Sequence, residues 1–413
     1  MKTLFQFALI ASVSCGFQKN FAADFDATTE IVGRGTNGLI TPVNQLVTPV
    51  GIQVALPRVR PNALALSPNG KILVTSGLTR ELIAIEPVTG RILQTVEFPT
   101  DKAQEQEAVS SEVLDANKNP KISFAGLAFS PDGKRIFLSN VNGDIKVFAV
   151  GKTNDVSPLT SFDLPAARAP RRTNEIPTGI AVSRDGKKIY VVGNLSNRLF
   201  EMDSSTGTIL HTWDVGVAPF DVVLAGKKIY VSNWGGRRPE TNSITGPAGR
   251  GTLVRVDERS IASEGSVTVI DLAKTNQSEI IAGLHSSTMA LSPNGKLLVV
   301  ANAGSDTLTV IDTGTDKIVE TIWARQNPGD LFGAQPNALA FDKSGKKLFV
   351  CNGTQNAVAV FHFKPGESKL LGLIPVGWFP GAIAYDSRGK RICVANLKDI
   401  GTTMQKASAK LGM

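Results

Sequence analysis

The residues most able to do chemistry are few and far apart. The 413-residue chain has three histidines, His211, His285 and His362, and none stands at an HxH or HxxxH spacing or beside a cysteine. A metal centre needs ligands that converge. The chain also has neither a GxSxG nucleophile turn nor a GxxxxGK[ST] phosphate loop. We therefore expect no metal and no cofactor, and we find no catalytic constellation, which leaves enzymatic activity uncertain.

Any functional side chain must be positioned by a phrase that recurs seven times: an apolar strand, a turn with Gly-Lys or a close variant, and a second apolar strand ending in Asn or Gly. The seven copies begin at Pro61, Phe124, Pro177, Pro219, Ser286, Pro336 and Pro380. Repeated strand–turn–strand units at such spacings are typical of β-propeller blades. Asn-Gly and Asp-Gly pairs suit the hairpin turns because they tolerate positive φ. The sequence predicts an all-β, seven-bladed β-propeller.

The seventh repeat is incomplete, because no convincing third and fourth strands follow Asn396. The stretch IQVALP near the N-terminus resembles the fourth strands of the other repeats. We predict that residues 38–57 complete the seventh blade and close the ring, which removes two exposed sheet edges. The propeller is expected to span residues 24–400, with a C-terminal tail at 401–413.

The N-terminus is typical of a secretory signal peptide, predicted at residues 1–23, with an early Lys, an apolar run and then small residues. We expect a secreted or periplasmic protein, with lipidation at Cys15 as a less favoured alternative. Nothing later reaches 18 consecutive apolar residues, so no membrane span is expected. Cys351 and Cys393 are expected to be free thiols.

Charge and loop length point to one face of the predicted ring. The net charge of +8 favours anionic partners only weakly, and no basic stripe interleaved with aromatics indicates nucleic-acid binding. The four longest connections all join strands b to c or d to a, and these links leave from the same face of a propeller. That looped face is rich in Arg, whereas Lys marks the plain face with its short turns. Since Arg holds carboxylates and phosphates bidentately, we predict an anionic ligand or partner there.

The candidate binding residues combine these arginines with a tryptophan and with acidic and imidazole groups placed near the central channel. They are Arg171, Arg172, Asp221, Trp234, Arg237, Arg238, Arg250, His285 and Asp330. The alternative is that the arginines pair with surface carboxylates such as Glu240 and Glu264, and that Asp221 and Asp330 only cap turns. Asparagines that end five of the second strands offer a similar choice between a ligand ring and structural turns. We favour turns, because Gly replaces Asn in two repeats and both tolerate the left-handed conformation.

The second-strand endings IYVSN, LLVVAN, LFVCN and ICVAN, together with VIDTGTDKIVETI, resemble the YVTN-type, WD40-like repeat propellers of secreted bacterial proteins. Longer phrases, IYVSNWGGRRPE and GLIPVGWFPGAIAYD among them, are similar to the propeller half of two-part proteins that also carry an alkaline-phosphatase-type phosphoesterase. In that family the phosphoesterase domain holds the metal ligands and the nucleophile, so the resemblance brings no catalytic residue to this sequence.

Three functions follow as expectations. The first is a secreted propeller that acts as a binding or scaffold module through its looped face. The second is an enzyme of the seven-bladed lactonase kind, and the third is the propeller half of a phosphoesterase.

Overall fold

The chain folds into β-strands throughout the part that the computed structural model describes. That part comprises residues 33–35, 38–41, 45–57, 59–99, 126–167, 169–170, 172–248, 252–274, 276–327, 329–330 and 332–398. The described part contains 31 strands and no helix. It therefore has no helix that could span a membrane. The predicted all-β propeller class is confirmed. The predicted signal peptide, Cys15, the tail at 401–413, Arg171, Arg250 and most of the first long connection lie outside the described residues.

The strands are grouped in sheets that follow the order of the chain. A separate N-terminal sheet contains β1 (Gly33–Gly35), β2 (Gly38–Ile40) and β3 (Leu46–Val47). Blade 1 consists of β4 (Ala63–Leu66), β5 (Leu73–Ser76), β6 (Glu81–Ile85) and β7 (Ile92–Glu97). Blade 2 consists of β8 (Leu127–Phe129), β9 (Arg135–Asn140), β10 (Asp144–Val150) and β11 (Val156–Asp163). Blade 3 consists of β12 (Pro177–Val182), β13 (Lys188–Gly193), β14 (Arg198–Asp203) and β15 (Ile209–Asp214).

Blade 4 carries an inserted hairpin, and the last sheet has only two strands. Blade 4 consists of β16 (Pro219–Ala225), β17 (Lys228–Asn233), β20 (Gly265–Asp271) and β21 (Asn276–Ala282), with the hairpin β18 (Thr245–Ala248) and β19 (Thr252–Arg255). Blade 5 consists of β22 (Ser286–Leu291), β23 (Leu297–Asn302), β24 (Thr307–Asp312) and β25 (Lys317–Trp323). Blade 6 consists of β26 (Pro336–Phe341), β27 (Lys347–Asn352), β28 (Ala357–His362) and β29 (Lys369–Pro375). The seventh sheet contains β30 (Pro380–Asp386) and β31 (Arg391–Asn396).

The first strands of the seven sheets contact one another in a closed circle. β4 contacts β8, and the contacts continue through β12, β16, β22 and β26 to β30, which returns to β4. We call the four positions in a blade strands a to d, from this inner circle outwards. Strands b and c are largely buried, whereas most residues of strands d are exposed or half-buried. Six complete blades and a two-stranded seventh sheet thus form one propeller.

Apolar clusters fill the spaces between neighbouring sheets. The cluster between blades 5 and 6, for example, contains Val299 and Leu308 from one blade and Val350 and Phe361 from the other. Equivalent clusters lie between each of the remaining pairs of neighbouring sheets, including the seventh sheet and blade 1. Burial of these faces is the main force that holds the ring closed, since each sheet can bury both its faces only against two others.

The a–b turns explain why the repeat is so regular. In the first repeat Ser67 Oγ accepts hydrogen bonds from the backbone N–H groups of Lys71 (3.1 Å) and Ile72 (2.9 Å), and Gly70 has a φ of +65°. Glycine adopts this left-handed conformation without steric cost. The predicted role of the glycine in these hairpins is confirmed.

Residues 49–57 lie beside the seventh sheet without extending it. The Val50 N–H donates to the Pro375 carbonyl at the end of β29 (3.1 Å), and Leu56 packs in the cluster that includes Cys393. Among the described residues, however, no strand pairs with the outer edge of β31. The N-terminal segment therefore lies where ring closure needs it, and its pairing as the missing strands of a seventh blade stays a prediction.

Candidate binding face

The described long connections all leave the ring where strands b and d end and strands a and c begin. They are residues 164–176, residues 234–264 with the β18–β19 hairpin, and residues 324–335. The opposite ends of the blades carry the short turns described above. The face with the long connections is the looped face of the sequence analysis, and most of the predicted binding residues are found there.

Trp234 and His285 form an aromatic pair at the boundary of blades 4 and 5, with their ring planes tilted by 37°. Their ring centroids are 4.5 Å apart. Trp234 directly follows β17, and its N–H donates to the Ala218 carbonyl, while His285 directly precedes β22 with a φ of +55°. Burial lowers the pKa of His285, which favours the neutral ring at physiological pH. Trp234 remains 45% exposed, so the pair offers an apolar, aromatic surface to solvent.

Arg237 is held by a carboxylate. Its Nε and Nη2 donate to the two oxygens of Glu264 at 2.9 and 2.8 Å, and its backbone N–H also donates to Glu264. Burial of Glu264 opposes its ionisation, but the hydrogen bonds from Arg237 outweigh that effect and keep the pKa of Glu264 below its usual value. The predicted alternative of Arg–Glu pairing describes this residue.

Arg238 and Arg255 lie together further out. Arg238 donates to the carbonyls of Val215 (2.6 Å) and Asn197 (2.5 Å), and it also contacts Asp214 at 3.2 Å. Arg255 Nε donates to the Arg238 carbonyl at 3.1 Å, and Arg255 Nη2 contacts Glu240 at 3.2 Å. Asp214 and Glu240 are 63% and 82% exposed, so these two ion pairs are open to solvent.

Arg172, the remaining predicted arginine that the structure describes, anchors a loop. Arg172 donates through Nε to the Asn174 carbonyl at 3.1 Å and through Nη2 to the Val141 carbonyl. These bonds tie the connection between blades 2 and 3 to the end of β9. Two backbone carbonyls therefore hold this side chain.

The structure gives Asp221 and Asp330 structural contacts. Asp221 Oδ2 accepts the N–H of Met289 in β22, and Oδ1 accepts the N–H of Val222, both at 2.8 Å. This carboxylate therefore links the inner strands of blades 4 and 5, and burial raises its pKa to about 6. Asp330 Oδ2 accepts the N–H of Asn327 at 2.9 Å and so caps its own turn. Cap-like contacts are the alternative that the sequence left open for both residues.

The asparagines that end strands b are structural, but the reason given from sequence is wrong. None of them has a positive φ. All but Asn396 are buried, and three of the amides reach strand c. Asn302 Nδ2, for example, donates to the hydroxyls of Thr307 (3.1 Å) and Thr309 (2.9 Å), whereas Asn352 donates to the Ala324 carbonyl and to Gln355. At the equivalent Gly193 in blade 3, a Cβ would lie 2.7 Å from the Phe200 ring and 2.9 Å from a Glu175 carboxylate oxygen. Glycine stands there because neighbouring side chains fill the space.

Sequence reasoning missed two aromatic clusters on this face. The guanidinium of Arg325 is 6% exposed and lies between the rings of Trp323 (4.5 Å) and Phe332 (4.6 Å), and Phe332 is 69% exposed. At the end of the chain, the Lys398 ammonium lies 4.8 Å from the Trp378 ring and near Phe379. The only sequence signal was the aromatic content of WARQNPGDLF and GWFPG, which does not reveal these pairings.

Within the described residues, no group of three or more His, Cys, Asp and Glu side chains is arranged to hold a metal ion. Cys351 and Cys393 are free, as expected, and burial raises the pKa of both thiols, that of Cys393 to about 11. The face therefore offers aromatic surface and paired arginines as its main chemical features.

Comparisons with known proteins agree with the propeller fold. A family model described as "Lactonase, 7-bladed beta-propeller" matches residues 253–396, which is less than half of the chain. No curated protein matches the sequence. Among solved structures, the chain is similar to Kuenenia stuttgartiensis hydrazine synthase, with 16% identity over 87% of this chain and 98% of that chain, at a TM-score of 0.61.

Two further structures, of U3-55K and of the RRP9 WD40 repeats, each align at 13% identity and a TM-score of 0.59. Each covers 83% of this chain, and the alignments span 89% and 88% of those chains. At these identities the likeness concerns the fold alone.

Proposed function

We propose that this protein is a binding or scaffold propeller that takes its partner on the looped face. The observation that carries the proposal is the Trp234–His285 pair, with Trp234 exposed, which lies where two blades meet and beside the largest insertion. Rigid sheets hold both rings, while the neighbouring connections are free to vary, and binding surfaces are commonly built in this way.

The ligand we favour is an anion that also presents an aromatic or apolar group. Arg237 is held bidentately by the nearly buried Glu264, but Arg238 and Arg255 contact carboxylates that are largely exposed. Exposed ion pairs contribute only about 0–1 kcal/mol each. A phosphate or carboxylate ligand would compete with Asp214 for Arg238 and with Glu240 for Arg255, while the Val215 and Asn197 carbonyls keep Arg238 in place.

Phenyl phosphate tests this proposal, with inorganic phosphate as the probe that lacks the ring. We expect isothermal titration calorimetry to detect phenyl phosphate binding to the full chain, and we expect W234A and R238Q each to weaken it about tenfold, the loss of one good contact. The matched control is K346Q on the plain face, which should leave binding unchanged. Equal binding to W234A, R238Q and K346Q, or no binding at all, would count against the looped face as an anion site.

A second candidate function is lactone hydrolysis, because the lactonase family model matches residues 253–396. In that case the looped mouth would be the active site. Assay of the purified chain on a panel of lactones, with and without divalent metal ions, separates this function from simple binding. Turnover that W234A or H285A abolishes would favour the enzyme.

The finer predictions from sequence complete the proposal. We take the protein to be exported from a bacterial cell after loss of residues 1–23, with residues 38–57 completing a seventh blade. We also take it to be related to the propellers that accompany phosphoesterase domains, in which case the looped face would dock such a domain or its phosphate esters. Periplasmic fractionation of the expressed chain tests export, and the DNA downstream of codon 413 tests the phosphoesterase relationship.

A further inference from the structure

Strand β31 is less buried than the other six strands b. In the six complete blades, strand b is buried at every position after its first residue or throughout. In β31 only Ala395 is buried, and the other five residues are half-buried. The difference arises because strand c covers strand b in the complete blades, whereas among the described residues no strand pairs with the outer edge of β31.

A groove of about 700 Å³ occupies the position of the missing strand. The whole of β31 lines one side and residues 49–56 line another, so the N-terminal segment lies across the gap from β31 rather than in it. Apolar side chains dominate the lining, among them Val54, Ile374, Ile392 and Val394. An apolar groove beside an unpaired strand edge is suited to an added β-strand, whose backbone hydrogen bonds supply affinity and whose alternate side chains enter the groove.

Two of the complete blades indicate what such a strand can contain, when strand c is counted from the residue that pairs with the asparagine. Asn302 donates to hydroxyls at the first and third positions so counted, and Asn233 does the same with Ser266 (3.0 Å) and Thr268 (2.9 Å). Asn396 stands at the equivalent end of β31. The second, fourth and fifth positions of strand c are aliphatic in both of these blades, as in TLTVID and SVTVID.

We infer that the edge of β31 binds one extended strand of another polypeptide, with Ser or Thr at its first and third positions and aliphatic residues at its second, fourth and fifth. The added strand lies antiparallel to β31 as the third strand of the seventh blade, in the place that residues 38–57 would otherwise take by the closure proposed above, and its hydroxyls accept from Asn396. Strand c begins five residues after Asn302 and Asn352 in their blades. At that spacing after Asn396 the chain itself reads GTTMQK, with Gly and Gln at the first and fifth positions, which fits the groove less well.

A peptide that copies residues 305–314, SDTLTVIDTG, tests the inference on the full chain. The control peptide carries proline at the position of Ile311, whose backbone N–H lies on the side that faces strand b, as does that of Thr313, which donates to the Lys296 carbonyl. Proline cannot donate to a ladder and breaks strand pairing. Binding is followed by fluorescence polarisation of the labelled peptide. Alkylation of Cys393, which lines the groove, is mapped by mass spectrometry, and the fully buried Cys351 serves as the internal reference.

We expect the peptide to bind and to slow alkylation of Cys393 by about tenfold, as closure of a pairing site protects the groups inside it. The proline peptide should do neither, and N396A should weaken binding several-fold. Binding of the proline peptide as tight as that of its parent would overturn the inference, as would unchanged alkylation of Cys393. So would a free chain in which Cys393 is already as unreactive as Cys351, because its own residues would then fill the groove.

Discussion

Replacing Asp221 by asparagine distinguishes a carboxylate that joins two blades from one that serves a ligand. The side chain accepts one backbone N–H from its own strand and one from β22 in the next blade. Burial raises its pKa to about 6 from the ordinary 3.8, because the two N–H donors only partly replace the water that the charged form loses.

The sign of the pH dependence follows from that direction. The folded protein keeps the proton of Asp221 to a higher pH than the unfolded chain does, so the associated stability is full below about pH 4 and is lost as the pH rises through about 6. A difference between 3.8 and about 6 corresponds to ~3 kcal/mol, and this is an upper limit, since part of the side chain still reaches solvent. D221N does not titrate. Relative to the unmodified protein, its free energy of unfolding should therefore rise between pH 4 and pH 7, by at most that amount.

Urea unfolding at pH 4, 5, 6 and 7 measures the effect. D203N is the matched control, because hydrogen bonds from the backbone N–H groups of Thr206 and Ser205 lower the pKa of Asp203. Its pH-dependent contribution is lost only as the pH falls below about 4, so D203N should differ from the unmodified protein by a constant amount between pH 5 and pH 7. A D221N difference that stays flat or falls over the same range would refute the assigned burial of Asp221.

Three further substitutions test the packing between blades by urea unfolding at pH 7. N302A removes an amide that two threonine hydroxyls accept from, and leaving them unpaired in a buried site should cost about 1–3 kcal/mol. G193A places a Cβ 2.7 Å from the Phe200 ring and should cost about 1–3 kcal/mol, whereas G372A meets open space and should change little; equal effects would contradict the packing argument. L56A removes a side chain buried beside the seventh sheet and should cost about 2–5 kcal/mol, and a loss below about 0.5 kcal/mol would show that residues 49–57 are not docked there.

The propeller was predictable because its signals are local. The turn glycines and the pattern of apolar residues act within a few residues, so each hairpin can be predicted from its own repeat. The unfinished seventh sheet was also visible, since no apolar strand follows Asn396. The sequence did not tell how residues 49–57 approach β31, because that depends on contacts between the two ends of the chain.

The binding face was less predictable, because the partners of its side chains come from distant segments. Arg237 and Glu264 are 27 residues apart and meet only because an insertion folds back between β17 and β20. The asparagines were correctly taken as structural, yet for three of them the reason was an amide hydrogen bond to strand c rather than a left-handed backbone. The position of Arg325 between two aromatic rings left no pattern in the sequence. Spacing along a strand fixes which face a residue occupies, but not which side chain on another loop it meets.

One backbone feature joins the fold to the proposed function. The residue just before the repeated phrase has a left-handed φ, between +47° and +60°, in five of the repeats, and none of these residues is glycine; they are Arg60, Ala218, His285, Gln335 and Phe379. In the last four, the carbonyl accepts an N–H from the residue that follows strand b, at 2.9 to 3.2 Å, which fixes the backbone at the mouth of the ring. A left-handed conformation costs a residue with a side chain roughly 1–2 kcal/mol, a cost that glycine does not have. The fold alone would thus be served best by glycine, whereas these positions carry a guanidinium, a methyl, an imidazole, an amide and a phenyl group. Varied side chains on a shared backbone conformation suit a binding surface, and His285 is the member that pairs with Trp234, the residue that the proposed phenyl phosphate experiment replaces.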